Sequence, residues 1–106
     1  MSKTTSNELP KAFRQFIEKY PEVGKSYEKL GEAVHKSGSL DEKTRALIKL
    51  AISTGAQLEG GVHSHTRKAL KVGLSADEIR HAVLIALPTI GLPSMMAALT
   101  WVEDVL

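Results

Sequence analysis

The sequence contains no cysteine among its 106 residues. Disulfide bonds, thiol catalysis and thiolate metal ligands are therefore excluded. Aromatic side chains are also scarce, at 5% of the chain, so that a core must be built mainly from Leu, Ile, Val and Ala. A domain of this length buries only a modest fraction of its surface, and association with further copies would stabilise it.

Runs of like charge are missing as well. The 14 basic and 12 acidic side chains are interspersed along the whole chain and leave a net charge of +2. Nucleic-acid-binding proteins concentrate basic residues on one surface, so no nucleic-acid partner is expected. The opening residues, MSKTTSNELPK, lack the apolar segment of a signal peptide, and we expect a cytoplasmic protein.

One uncharged stretch, residues 82–102, imitates a membrane span. Pro88, Gly91 and Pro93 interrupt it, whereas a membrane helix needs about 20 consecutive apolar residues. The stretch therefore predicts two buried helices joined at PTIGLP, and no membrane partner is expected.

Apolar residues recur at helical spacing along the chain, and no sustained alternation indicates a strand. The pattern predicts an all-α fold of about six helices. The expected helices lie near residues 7–20, 22–36, 41–56, 59–72, 76–87 and 93–105. The helices at 41–56 and 76–87 are apolar over much of their circumference, which favours burial against another subunit.

Two of these helix starts carry the pattern of a capping box. SLDE at 39–42 and SADE at 75–78 each place a glutamate three residues after a serine. In such a box the serine oxygen accepts the backbone N–H three residues on, and the glutamate reaches back to the serine N–H. The sequence therefore predicts that Ser39 and Ser75 cap the two helices.

His65 is the first candidate for chemistry, within the stretch EGGVHSHTRKAL at 59–70. On a helix it falls on the apolar stripe, three residues after Val62 and four before Ala69. Two interpretations stay open. The ring is either a structural histidine that bonds a carbonyl or a water, or a general acid/base whose pKa is moved by burial.

Glu59, His63 and Arg67 follow one another at intervals of four and share a second helix face. Glu59 and His63 would form either a solvated ion pair or an acid–base dyad. The planar guanidinium of Arg67 is suited to holding a carboxylate.

Metal binding is a further alternative for the same stretch. His63 and His65 point about 200° apart on a helix, so they cannot both bind one ion from it. Glu59 and His63 have the spacing of helical ligands and would need an outside ligand such as His81. The spacing weighs against a site, and neither a metal nor another cofactor is expected.

Gly60 and Gly61 open the same helix. Each lowers helix stability by about 1 kcal/mol relative to alanine. They leave space beside His65, where a small molecule or a neighbouring side chain could approach. The alternative is a loose first turn packed under another helix.

Three segments resemble the carboxymuconolactone decarboxylase family, which includes the alkylhydroperoxidase-D-like proteins. They are LDEKTRALIKLAIS, HTRKALKVGLSADEIRHAVLIAL and GLPSMMAAL, within a resemblance that runs from about Leu9 to the end. It implies one all-helical domain over residues 1–106, with a helical pair at 1–38 and the family core at 39–106. It also implies a homo-oligomer, a trimer or hexamer, with sites near subunit contacts.

The redox branch of this family uses a Cys-x-x-Cys pair, a histidine four residues after the second cysteine, and an upstream glutamate. His65 occupies the histidine position, Leu58 and Gly61 the cysteine positions, and Ala46 the glutamate position. Neither leucine nor glycine provides a thiolate, so dithiol peroxide reduction is not expected.

The decarboxylase branch also lacks the cysteine pair and retains a histidine at the position of His65. Its chemistry is proton transfer on an anionic lactone, which needs an acid or base in a shielded pocket and a cation for the carboxylate. The resemblance thus implies a lyase-like reaction on a small anionic molecule. The candidate catalytic residues are His65, His63 and Glu59, and the candidate substrate contacts are Arg67, Gly60 and Gly61.

Three functions follow as hypotheses. The first is acid/base chemistry on a small anionic compound around His65. The second is a non-catalytic binding protein, or a structural relic of the peroxiredoxin-type branch. The third is a metal-dependent activity that uses Glu59 and His63. Gly60 and Gly61 stand where the decarboxylase branch tends to carry polar side chains, which is a departure from that branch.

Overall fold

A computed structural model describes residues 9–106. This part of the chain is all-α, with seven helices and no strand, so the predicted fold class is confirmed. This is one helix more than the six expected, and the additional helix is a single turn of four residues. We number them α1 Lys11–Lys19, α2 Pro21–Lys36, α3 Glu42–Gly55, α4 Glu59–Lys71, α5 Ala76–Leu84, α6 Leu87–Ile90 and α7 Leu92–Val105. The start predicted near Asn7 lies outside the described residues.

The chain divides into two compact units, and the boundary lies between residues 39 and 40. The first contains α1 and α2, and the second, Leu40–Leu106, contains α3 to α7.

The first unit is a helical pair. Pro21 occupies the first position of α2, where its missing N–H costs no hydrogen bond. Gly24 is buried, and a Cβ at this position would lie 3.1 Å from Cγ2 of Ile17. The glycine therefore allows α1 and α2 to approach closely.

An exposed apolar stripe runs along α2. Its members follow one another at helical spacing, and each keeps more than half of its surface exposed: Val23, Tyr27, Leu30 and Val34. An amphipathic helix in a folded assembly normally buries such a stripe.

The second unit contains the described core. α4 packs against α3, α7 and α5, while α5 also packs against α3 and α7. The buried apolar residues are Leu50, Val62, Ala69, Leu74, Ile79, Val83, Met95, Ala98 and Val102. All are aliphatic or methionine, as the scarcity of aromatics predicts, and Trp101 is only partly buried against them.

The two predicted capping boxes have different outcomes. The box at Ser75 is confirmed, because its Oγ accepts the Glu78 N–H at 3.0 Å and Glu78 Oε1 accepts the Ser75 N–H at 2.8 Å. The prediction for Ser39 is wrong. α3 begins two residues later than that pattern requires, and Asp41 caps it by accepting the Thr44 N–H at 2.8 Å.

The uncharged stretch at 82–102 does contain two main helices with a break. α5 ends at Leu84, three residues earlier than predicted, and the short α6 follows. Gly91, with φ of 91°, then turns the chain into α7. Leu84 and Ile85 are exposed in the single chain. No helix within residues 9–106 is long and apolar enough to span a bilayer.

Candidate functional site

The connection between α3 and α4 positions the candidate site. Leu58 N–H donates to Ser53 O at 2.9 Å, and Gln57 N–H donates to Thr54 O at 3.1 Å. This is the hydrogen-bond pattern of a Schellman motif. Gln57 has a left-handed backbone, with φ of 56°. Its side-chain amide nitrogen, Nε2, donates to the backbone carbonyls of Thr54 and Ser94, each at 2.9 Å. These bonds offset the cost of a left-handed non-glycine residue.

The short connection makes α3 and α4 antiparallel neighbours. The two helices approach each other closely at Gly61, where a Cβ would lie 2.7 Å from Oγ of Ser53 and 3.2 Å from its Cβ. Because the two helices run in opposite directions, the residue one turn before Ser53 on α3 faces the residue one turn after Gly61 on α4. Lys49 therefore lies opposite His65.

His65 is half-buried on α4, at the edge of the face formed by the buried Val62, Thr66 and Ala69. Burial lowers the pKa of its imidazole to about 4, and the positive charges of Lys68 and Lys49 add to this effect. The ring is consequently neutral near pH 7, with one nitrogen that donates and one that accepts.

Lys68 belongs to the same cluster. Its pKa is also lowered, mainly because surrounding atoms desolvate the ammonium and further because of the charge of Lys49. The side chain still keeps exposed surface, so the site is accessible to solvent in the single chain. The positive charges of Lys68 and Lys49 thus act on a neutral His65 ring.

We expect acid to destabilise the protein through His65. The unfolded chain binds a proton at this ring near pH 6.5 and the folded chain only near pH 4, so stability falls as pH drops through this window. One pKa unit corresponds to 1.36 kcal/mol. After a discount for partial solvent screening, the loss between pH 7 and pH 4.5 is on the order of 1 kcal/mol.

Urea unfolding at the two pH values measures this loss. The His65→Gln variant should show a smaller difference than the wild type, while His81→Gln, which removes an exposed imidazole on α5, should show the wild-type difference. An unchanged pH dependence in His65→Gln would contradict the assignment.

His63 has a partner that the sequence did not indicate. Its Nε2 lies 2.9 Å from Oδ2 of Asp104 on α7, with 25% and 53% of the two side chains exposed. Within residues 9–106 the Glu59 side chain makes no hydrogen bond or ion pair. The expected Glu59–His63 pair is thus replaced by an interhelical contact. A partly exposed pair of this kind contributes at most about 1 kcal/mol to stability.

The remaining predicted site residues are dispersed around α4. Arg67 is half-buried and lies two residues beyond His65, which places it about 200° around the helix. A Cβ at Gly60 would meet nothing within 4 Å, whereas Ser53 already occupies the space beside Gly61. Only Gly60 therefore offers the open space expected of both glycines.

The part of the chain that the structure describes has no cluster of three His, Asp or Glu side chains able to hold a metal ion. Glu59, His63 and His81 accordingly do not form a ligand set in this chain. The alternative of a metal-dependent activity gains no support from their geometry.

Two basic residues of the cluster escaped the sequence analysis as site residues. Lys68 follows His65 by three residues, so helical spacing could have indicated it. Lys49 is 16 positions before His65, and no local pattern joins them. Only the register of α3 against α4 does so.

Comparison with known proteins supports this fold and its family. The sequence profile described as the Carboxymuconolactone decarboxylase family matches residues 21–104. The chain belongs to this family. A solved structure of a carboxymuconolactone decarboxylase family protein from Legionella pneumophila is 27% identical to it, with a TM-score of 0.74 and 98% of each chain covered. The predicted recognition of a cysteine-less family member is thus confirmed.

Two curated relatives are uncharacterised proteins. One, from Haemophilus influenzae, is 32% identical over 67 residues, which cover 63% of this chain and 59% of that protein. The other, from Methanocaldococcus jannaschii, is 30% identical over 87 residues, which cover 81% of this chain and 84% of that protein. The match thus spans less than two thirds of the Haemophilus protein's length. Neither relative supplies a substrate.

Proposed function

We propose that this protein performs acid/base chemistry on a small carboxylated compound, at a site centred on His65. The observation that carries the proposal is the half-buried, neutral imidazole with two lysines acting on it. A neutral imidazole can exchange a proton with a substrate, and the lysines attract a carboxylate. The absence of cysteine leaves acid/base chemistry as the accessible branch of the family's activities.

The reaction that fits these groups is a decarboxylation of the lyase type. The bond from carbon to the carboxylate breaks, carbon dioxide leaves, and the electron pair passes into an adjacent carbonyl system. A proton must then reach carbon, and His65 is the proposed donor after its neutral ring has taken up a proton from solvent. Glu59 and His63 stay predicted catalytic residues, while Arg67, Gly60 and Gly61 stay predicted contacts of the anion.

The direct test is an assay of the wild-type protein on small carboxylated lactones, with release of carbon dioxide as the readout. We expect turnover of at least one of them. Tight binding of a compound that is recovered unchanged would instead support the second candidate, a non-catalytic binding protein. The low pKa of His65 favours that candidate, because it makes the unliganded ring a weak base.

We also propose that the protein is a homo-oligomer, a trimer or a hexamer. Support comes from exposed apolar side chains in both units, each considered by itself. They include the α2 stripe in the first unit, and Ile52, Leu84, Ile85 and Leu92 in the second. Contact between copies would bury this surface, and each Å² of apolar surface removed from water would stabilise the oligomer by about 25 cal/mol.

Light scattering after gel filtration should give three or six times the chain mass of 11.5 kDa. Leu30→Glu, within the α2 stripe, should lower the mass. Lys29→Glu, one position away on the polar side of α2, should not. A wild-type mass of 11.5 kDa at micromolar concentration would disprove the proposal.

A further inference from the structure

We propose that the α2 stripe is an interface between copies of this chain, in which α2 of one copy packs against α2 of a second copy about a two-fold axis. The inference rests on the proposed homo-oligomer and deepens it, because it names the contact and selects the hexamer over the trimer. It is independent of the chemistry proposed at His65.

The helices of the first unit bury almost none of their own side chains. Among residues 9–39 the only buried residue is Gly24. Phe16 and Tyr20 on α1 and its end keep 39% and 49% of their surface exposed, and the members of the α2 stripe keep between 53% and 63%. Helices as short as these depend on the packing of an apolar face for their stability. The stripe therefore needs a further surface that packs against it.

The spacing within the α2 stripe is that of a coiled-coil seam. Its members follow one another at intervals of four, three and four residues. This spacing places Tyr27 and Val34 at a positions of a heptad, and Val23 and Leu30 at d positions. Because a and d side chains insert between the side chains of a facing helix, the surface that fits the stripe is another helix.

Small residues flank the seam and leave room for that helix. The e positions of the heptad are Gly24 and Gly31, and the g positions are Ser26 and Ala33. Ile17 of α1 occupies the space beside Gly24, but a Cβ at Gly31 would meet nothing within 4 Å. Ser26 and Ala33 are exposed. Since the distance between two packed helices depends on the side chains at the contact, this surface admits a close approach.

The charges of α2 favour a second copy as the occupant. The acids and lysines of α2 all lie at b, c and f positions, away from the stripe: Glu22, Lys25, Glu28, Lys29, Glu32 and Lys36. Charges at e and g positions select the partner in coiled coils, and α2 has none there. Two identical α2 helices therefore meet without repulsion between like charges, and no charge at the seam specifies a different partner.

The symmetry of this contact determines the number of copies. A surface that packs against its own counterpart forms an isologous contact, which has a two-fold axis. It joins copies in pairs, and of a trimer and a hexamer only the hexamer contains such pairs. The exposed apolar residues of the second unit then remain for the contact that repeats about the three-fold axis.

Site-directed cross-linking tests the contact on the full-length protein, which has no native cysteine to interfere. Leu30→Cys places a thiol in the middle of the α2 stripe, and Lys29→Cys is the matched control on the charged face. With a short bis-maleimide at micromolar protein, Leu30→Cys should be converted mainly to a covalent dimer. Lys29→Cys should give at least about tenfold less dimer, because its side chain points about 100° away around the helix.

Light scattering gives a second measurement that does not depend on a cross-linker. Leu30→Glu introduces two carboxylates into each two-fold contact and should halve the wild-type mass, from six chains to three. Lys29→Glu should keep six chains. Circular dichroism checks that both variants are folded.

Several results would overturn the inference. They are the absence of a covalent dimer from Leu30→Cys, equal yields from the two cysteine variants, and an oligomer whose mass is the same in Leu30→Glu. In the last case the proposed homo-oligomer would stand, and the α2 stripe would contact the chain's own second unit or another protein. A wild-type mass of one chain would remove the homo-oligomer and the inference together.

Discussion

Replacement of His65 by alanine is expected to lower kcat on a carboxylated substrate by about 10²–10⁴-fold, the usual contribution of a general acid or base. The ring is half-buried and lies at the edge of the core face, so its truncation should leave the helices formed. Steady-state kinetics measure the loss, and circular dichroism checks the fold. A large fall in kcat with a smaller change in KM would indicate a role in the chemical step.

Other imidazoles of the chain provide the comparisons. His81→Ala removes an exposed ring on α5 and should retain wild-type kcat. His63→Ala breaks the contact with Asp104 and separates the two predicted catalytic histidines. If His65→Ala kept its turnover while His63→Ala lost it, the site would be assigned to the wrong ring.

Gly61→Ala is expected to destabilise the protein by about 2 kcal/mol, although alanine is the better helix former. The new Cβ would lie 2.7 Å from Oγ of Ser53, 3.2 Å from its Cβ and 3.3 Å from Cβ of Leu58. Rotation of the Ser53 hydroxyl relieves only the first of these contacts. α3 and α4 must therefore separate, and the free energy of urea unfolding measures the cost.

Gly60 is the matched control. A Cβ there meets nothing within 4 Å, so Gly60→Ala should stabilise the protein by about 1 kcal/mol through helix propensity alone. The double variant Ser53→Gly with Gly61→Ala should recover part of the loss, because it removes the opposing side chain. Stabilisation by both single alanine variants would show that α3 and α4 do not approach closely at Gly61.

Much of the helical architecture could be predicted because it depends on neighbours in the chain. The segment at 22–36 matches α2 closely, and the segment at 93–105 matches α7. Ser75 and Gly73 mark helix ends through local hydrogen bonds, and Leu74 N–H closes the end of α4 on Ala69 O at 3.1 Å.

Local patterns did not predict the helix boundary where the sequence allows a helix to begin or end at either of two nearby residues. Ser39 and Asp41 are both good caps, and the structure uses the aspartate. The apolar run after Ala76 continues past Leu84, but the chain leaves the helix there and begins α6 at Leu87. Periodicity does not distinguish these choices, because the same apolar residues satisfy each of them.

By itself, the sequence determined the all-helical class, the family and the exclusion of thiol chemistry, because helical period and the absence of a residue type are properties of the chain alone. Tertiary structure decided which charged groups meet. His63 contacts an aspartate 41 residues away, and Lys49 acts on His65 from another helix. The physical reason is register: the left-handed Gln57 and the close contact at Gly61 determine how α3 lies against α4.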